Sequence, residues 1–179
     1  MTQAPSVLLI IDLQAGFVTD GSRHVVAPLE ALQSGFDHVV VTKFHNPDPS
    51  PFRDILYYDK MTADTPETAL AFAPRADAVI IDRPLYTCVI PELLSQLANW
   101  QARDIHIGGI ATEACVLKSV IDLFEHGFCP WILTDLCASD KDRRFHDNAL
   151  HVLGKLIDPS HLVVSCYLPG FLRDRQIHE

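Results

Sequence analysis

Apolar positions along the chain gather into short runs separated by stretches of helical spacing. SVLLII (6–11), HVVVT (38–42), DAVII (77–81), DIHIGG (104–109), PWILT (130–134) and HLVVS (161–165) are β-rich and of buried-strand length. Between them, VVAPLEALQSG (25–35), IPELLSQLANWQ (90–101), TEACVLKSVIDLFEHG (112–127) and DRRFHDNALHVLGKL (142–156) place apolar residues three and four apart. Gly35 and Gly127 stand where C′ glycines would stop the first and third of these helices. Strands apolar on both faces, alternating with helices, predict a three-layer α/β/α sandwich around a mostly parallel six-stranded sheet.

The segment 43–76 breaks the alternation. Pro47, Pro49, Pro51, Pro66 and Pro74 fall within it, and it is long for a connection, which predicts a pocket-forming loop. No shift in composition marks a second domain, so 1–179 reads as one domain, large enough to bury roughly two thirds of its unfolded surface. The net charge of −9 and the lack of any basic run longer than Arg143–Arg144 argue against a nucleic-acid partner. No apolar stretch approaches the roughly 20 residues of a membrane span, so no membrane partner is expected. MTQAPSVLLIID has neither a basic n-region nor a cleavage site after its apolar run, so the expected compartment is the cytoplasm. The five cysteines, an odd number without CxxC spacing, suggest neither a disulfide framework nor a zinc knuckle.

In open α/β sheets ligands bind beyond the carboxyl ends of the strands, so the residues placed there are the candidates for chemistry. Asp12, Gln14 and Phe17 follow the first run, Lys43, Phe44, His45 and Asn46 the second, and Asp82, Arg83 and Tyr86 the third. Cys115 follows the fourth and Asp135 the fifth. Asp12 reads either as a turn cap or as a functional acid. Cys115 lies near the first turn of a helix, where free N–H groups and the macrodipole favour a thiolate, so a low-pKa thiol is expected, with a nearby Asp12 carboxylate acting in the opposite sense. An acid, a fixed cation and such a thiol at three strand ends suggest acyl transfer through a cysteine nucleophile. The remaining cysteines read as packing residues.

LLIIDLQAGF (8–17), VVVTKFHNPDPSPF (39–52), VIIDRPLYT (79–87), GGIATEACV (108–116) and TDLCAS (134–139) resemble the isochorismatase-like cysteine hydrolase superfamily, which includes nicotinamidases and carbamoyl-amide hydrolases. The fourth stretch is the most specific of these. The resemblance implies Asp12 as general base, Cys115 as nucleophile, Arg83 as the catalytic cation, and a thioester intermediate. It also implies a cis peptide at Ile110–Ala111, with the Ala111 and Cys115 N–H groups forming an oxyanion hole. Gln14, Phe17, Phe44, Asn46 and Tyr86 are the candidate substrate contacts. A small amide, carbamoyl or ureido compound is the implied substrate, and a homo-oligomer, dimer or tetramer, the implied assembly.

Two positions depart from the family pattern. Arg83 stands where the family has lysine, and arginine is a poor proton donor. Lys43 stands where metal-binding nicotinamidases carry an aspartate two residues before a histidine, here His45, so no metal and no cofactor is expected. Retention of Cys115 disfavours vinyl-ether hydrolysis, which the family's isochorismatases perform without a cysteine there. An aspartyl-phosphate hydrolase using Asp12 would need a second acid at position 14, which is Gln. The non-enzymatic alternative is a small-molecule binding or interaction module that kept the fold but lost turnover, and Arg83 is its main support.

Overall fold

The structure, a computed structural model, describes residues 4–168; the single domain expected over 1–179 extends past these at both ends. Among the described residues six strands form one sheet: β1 (Val7–Ile11), β2 (His38–Phe44), β3 (Val79–Arg83), β4 (Asp104–Ile110), β5 (Cys129–Ala138) and β6 (Leu162–Val163). All pair in parallel, in the order β3-β2-β1-β4-β5-β6. The helices are α1 (Val26–Leu32), α2 (Pro51–Asp54), α3 (Pro91–Asn99), α4 (Leu117–Glu125) and α5 (Arg143–Ile157).

Alternation along β1 shows how the layers form. Val7, Leu9 and Ile11 point into one core with Leu93 and Leu97 of α3, Val120 and Leu123 of α4, and Leu153 and Ile157 of α5. Leu8 and Ile10 point into the opposite core, against Leu29 of α1, Val25 and Phe36. Every residue of β1 is buried, which is why its sequence shows no polar alternation. This is the α/β/α sandwich of the sequence reading, with every strand pair parallel.

Several boundaries differ from the periodicity, each for a local reason. The helix expected over 25–35 is α1 flanked by 3₁₀ turns at Arg23–Val25 and Gln33–Gly35. Gly35 lies inside the second turn and is not a left-handed cap. Gly127 is one: its φ is 85°, its N–H donates to Phe124 O and that of Phe128 to Leu123 O, the paired bonds of a Schellman motif. β2 and β3 each run two residues past the expected ends, so Lys43, Phe44, Asp82 and Arg83 are strand residues. β5 is longer than its apolar run because its register against β4 jumps between Ile107 and Gly109, letting it continue to Ala138. No helix among the described residues is long and apolar enough to cross a membrane.

Candidate active site

Strand order reverses between β1 and β4, the first two strands to diverge, and a crevice opens beyond their carboxyl ends. Ile11 and Gly109 face each other there. Gly109 has φ of 132°, and a Cβ on it would stand 2.0 Å from the Ile11 carbonyl oxygen, so only glycine lets β4 approach β1 this closely. Asp12 follows immediately. Its φ of 49° is in the left-handed region, which aspartate tolerates better than most residues.

The Asp12 side chain is fully buried and fully engaged. Oδ1 accepts a hydrogen bond of 2.9 Å from the Thr42 hydroxyl, and Oδ2 meets Nη2 of Arg83 at 2.5 Å. Arg83 is also buried, and its Nη1 donates to the Leu85 carbonyl, while Nε has no hydrogen-bond partner. Burial opposes the guanidinium's charge, but the Asp12 carboxylate beside it holds the group more firmly charged than usual. The end of β1, the end of β3 and the β2 side chain between them thus fix one buried ion pair.

Cys115 arrives on a widened turn. Thr112–Val116 is a π-helical turn opening α4, in which the Ala111 carbonyl accepts from both Ala114 N–H and Val116 N–H at 3.1 Å. The peptide between Ile110 and Ala111 is cis. Cys115 is 6% exposed, and its thiol is pushed well above the ordinary range, first by burial and then by the Asp12 charge, with Arg83 pulling the other way. The low-pKa thiol expected from the helix terminus is therefore corrected: desolvation and the adjacent carboxylate outweigh the dipole and the guanidinium.

A cavity of about 330 Å³ opens over this thiol. Phe17, Phe44 and Tyr86, three of the expected contacts, line it together with Ala111 and Cys115. The 43–76 segment supplies further wall through Phe52, Leu56 and Tyr58. The rings interlock: Phe44 meets Phe52 at 5.0 Å and Phe52 meets Tyr86 at 4.9 Å, both edge to face. Glu113, Ala114, Asp140 and Lys141 complete the lining, and sequence reasoning missed all four. Glu113 had a legible signal, since it lies in the most specific stretch two residues before Cys115.

Gln14 and Asn46 are placed differently from their expectation as substrate contacts. Both are completely buried. The Gln14 amide accepts from Phe44 N–H at 2.7 Å and donates to the carbonyls of Phe44 and Thr68 at 3.0 and 2.9 Å. The Asn46 amide donates to the carbonyls of Tyr58 and Lys60 and accepts from the Ser50 hydroxyl. Each spends its polar atoms holding the 43–76 segment in shape, leaving none for a ligand. Asp135 likewise binds Ser165, through N–H at 2.8 Å and hydroxyl at 2.5 Å, away from the thiol.

The side chains at the end of β2 do not fit a metal. Lys43 directs its ammonium at Asp82, 3.3 Å away, and so sets a positive charge beside that carboxylate. Among the described residues no group of three His, Cys, Asp or Glu side chains converges as a metal site would require.

A buried acid–guanidinium pair thus lies beside a cysteine at the switch point of a parallel α/β sheet. Residues 6–158 match the isochorismatase domain model, and the chain belongs to that family of hydrolase folds. No curated protein matches the sequence. Among solved structures, a cysteine hydrolase from Pseudomonas syringae pv. phaseolicola 1448A is similar with a TM-score of 0.84 and 17% identity, over 98% of this chain and 95% of that one. A nicotinamidase from Bacillus subtilis gives 0.74 and 20% identity over 86% and 96% of the two chains. A zinc-bound pyrazinamidase of Pyrococcus horikoshii gives 0.75 and 20% over the same shares. At these identities the likeness is one of fold.

Proposed function

We propose that the protein is a cysteine hydrolase that cleaves a small amide, carbamoyl or ureido C–N bond through a thioester at Cys115. The observation that carries this reading is the placement of the Cys115 thiol beneath the cavity, against the Asp12–Arg83 pair. The thiol is protonated at rest, so attack and proton loss are coupled. As Cys115 Sγ bonds to the substrate carbonyl carbon, its proton passes to the Asp12 carboxylate, acting as general base. The oxygen's new negative charge faces the N–H groups of Ala111 and Cys115. Collapse breaks the C–N bond, and the departing nitrogen takes the proton from Asp12. Water then adds to the thioester, giving a proton to Asp12. The second adduct releases the acid, and the proton returns to sulfur. Arg83 keeps its charge throughout and holds Asp12 in place.

The compartment and assembly belong to the same reading. Cysteines without a disulfide among them support the cytoplasm. Ile55, Leu56 and Tyr57 are 70%, 56% and 88% exposed beside the cavity, which supports a dimer or tetramer in which a second copy covers them.

The burial that keeps Cys115 protonated also favours a second reading, a binding module on the same fold without turnover. One measurement separates the two. Mixed with p-nitrophenyl acetate, the hydrolase releases about one equivalent of nitrophenolate in a burst and gains one acetyl group at Cys115 by mass spectrometry; Cys115→Ala does neither. A burst that survives Cys115→Ala, or its absence from the wild type, overturns the hydrolase reading.

A further inference from the structure

The cavity is unequal in its chemistry. Its apolar part is a set of aromatic rings, Phe17, Phe44, Phe52, Tyr58 and Tyr86, whose faces carry negative quadrupole density. Its polar part brings two carboxylates against one ammonium. Glu113 is fixed from below by the Ser139 hydroxyl, which donates to Oε1 at 2.6 Å, while the buried Oε2 has no hydrogen-bond partner among the described residues. Asp140 is half-buried on the wall and makes no ion pair among the described residues. Lys141, next to it, is exposed at the rim, where water screens its charge. The Asp12–Arg83 pair adds no net charge. The Tyr58 hydroxyl among these rings is pushed up to about 12, first by burial and then by the charges of Glu67, Asp140 and Asp59.

We infer that this pocket selects substrates carrying a positively charged nitrogen group, an ammonium, amidinium or guanidinium, seated among the rings with its charge offset by Glu113 and Asp140. The inference rests on the hydrolase reading for the identity of the scissile bond, but the charge preference belongs to the pocket itself. A neutral planar amide gains only ring contact here. An anionic one meets two carboxylates within a Debye length, with less water between them than at a surface. Aromatic rings and partly buried carboxylates both reward a cation, each by an amount that compounds in binding.

Benzamidinium, benzamide and benzoate share one ring and nearly one shape while their charges run +1, 0 and −1. Binding of each to Cys115→Ala is measured by calorimetry, which requires no turnover, and occupancy of this cavity is checked by protection of wild-type Cys115 from alkylation. Benzamidinium binds roughly ten-fold more tightly than benzamide, benzoate binds weakest, and the order flattens in high salt. Asp140→Asn and Glu113→Gln each lower the ratio of benzamidinium to benzamide affinity. Benzamide or benzoate binding as tightly as benzamidinium, no benzamidinium binding at all, or a preference that survives both substitutions overturns the inference. A cation preference without an acetyl burst retires the hydrolase reading alone, and a burst without the preference retires the pocket assignment alone.

Discussion

Asp12 and Arg83 meet at 2.5 Å across the mouth of the sheet, with neither side chain exposed. Two buried charges are stable there because each is paired and further hydrogen-bonded, Asp12 by Thr42 and Arg83 by Leu85. The pair is neutral as a unit, so it does not by itself ionise the neighbouring thiol. Its two members act on Cys115 in opposite senses, the carboxylate keeping the proton on sulfur and the guanidinium favouring its loss. This opposition makes their removal distinguishable.

Asp12→Asn should separate nucleophile reactivity from turnover. The substitution deletes the charge that holds the thiol pKa up and leaves Arg83 free to favour the thiolate. Iodoacetamide should therefore modify Cys115 faster than in the wild type at pH 7, while ester turnover falls by about 10²-fold or more for want of a general base. Peptide mapping identifies the labelled site, since exposed Cys166 reacts in both proteins. Slower labelling of Cys115 in the variant would show that the carboxylate does not act on the thiol.

Arg83→Met leaves Asp12 buried without its counter-charge, a loss worth about 3–5 kcal/mol. Arg83→Lys restores the charge but has no fork to reach both Asp12 and Leu85, so it should melt between the wild type and the Met variant. Acylation rates should follow the same order, with the Met variant down roughly 10²-fold because the proton-accepting carboxylate is no longer held. Equal melting temperatures for Lys and Met variants would mean that shape, not charge, is what the site requires.

Alkaline pH should unfold the protein through its buried thiols. Burial raises Cys88 to about 11 and Cys137 to about 12, and Cys115 also lies well above the ordinary value of 9.0. A thiol whose folded pKa is raised retains its proton in the native state while the unfolded chain releases it. Stability is therefore complete below pH about 8.5 and declines as pH rises toward the folded values, by up to about 1.4 kcal/mol per thiol per pH unit. Melting curves from pH 7 to 11 should show the decline, and Cys137→Ala should flatten it. An equal slope in that variant would assign the alkaline loss elsewhere.

The sheet was legible because its strands are buried on both faces and so appear as uninterrupted apolar runs; β1 is the clearest case. Asp12, Arg83 and Cys115 were legible as candidates because strand ends at a switch point collect ligand-binding groups, and the family's motifs fall on them. The ionisation of Cys115 was not. A helix N-terminus is visible in sequence, whereas the burial that dominates the thiol, and the approach of Asp12 that adds to it, are set by residues far apart in the chain. Glu113, Asp140 and Phe52 escaped for a similar reason: which side chains of a turn or loop face a cavity is decided by tertiary contacts such as Ser139 with Glu113. The end of β5 was hidden by its register jump, which no periodicity announces.

Gln14 and Asn46 show the converse error, in which polar residues at strand ends look like ligand contacts but are structural. Gln14 serves three backbone groups at once, the N–H and carbonyl of Phe44 and the carbonyl of Thr68. Gln14→Ala would strand them in the interior, and each unsatisfied group costs about 1–3 kcal/mol, moderated where water enters the space left behind. The melting temperature should fall markedly. Because Phe44 is part of the cavity wall, KM should rise alike for neutral and charged substrates, while the acetyl burst at Cys115 keeps its one-equivalent amplitude. A direct substrate contact would behave otherwise: stability would hold, and only substrates bearing the matching polar group would lose affinity. That second pattern would return Gln14 to the list of ligand contacts and require the loop to open in the working enzyme.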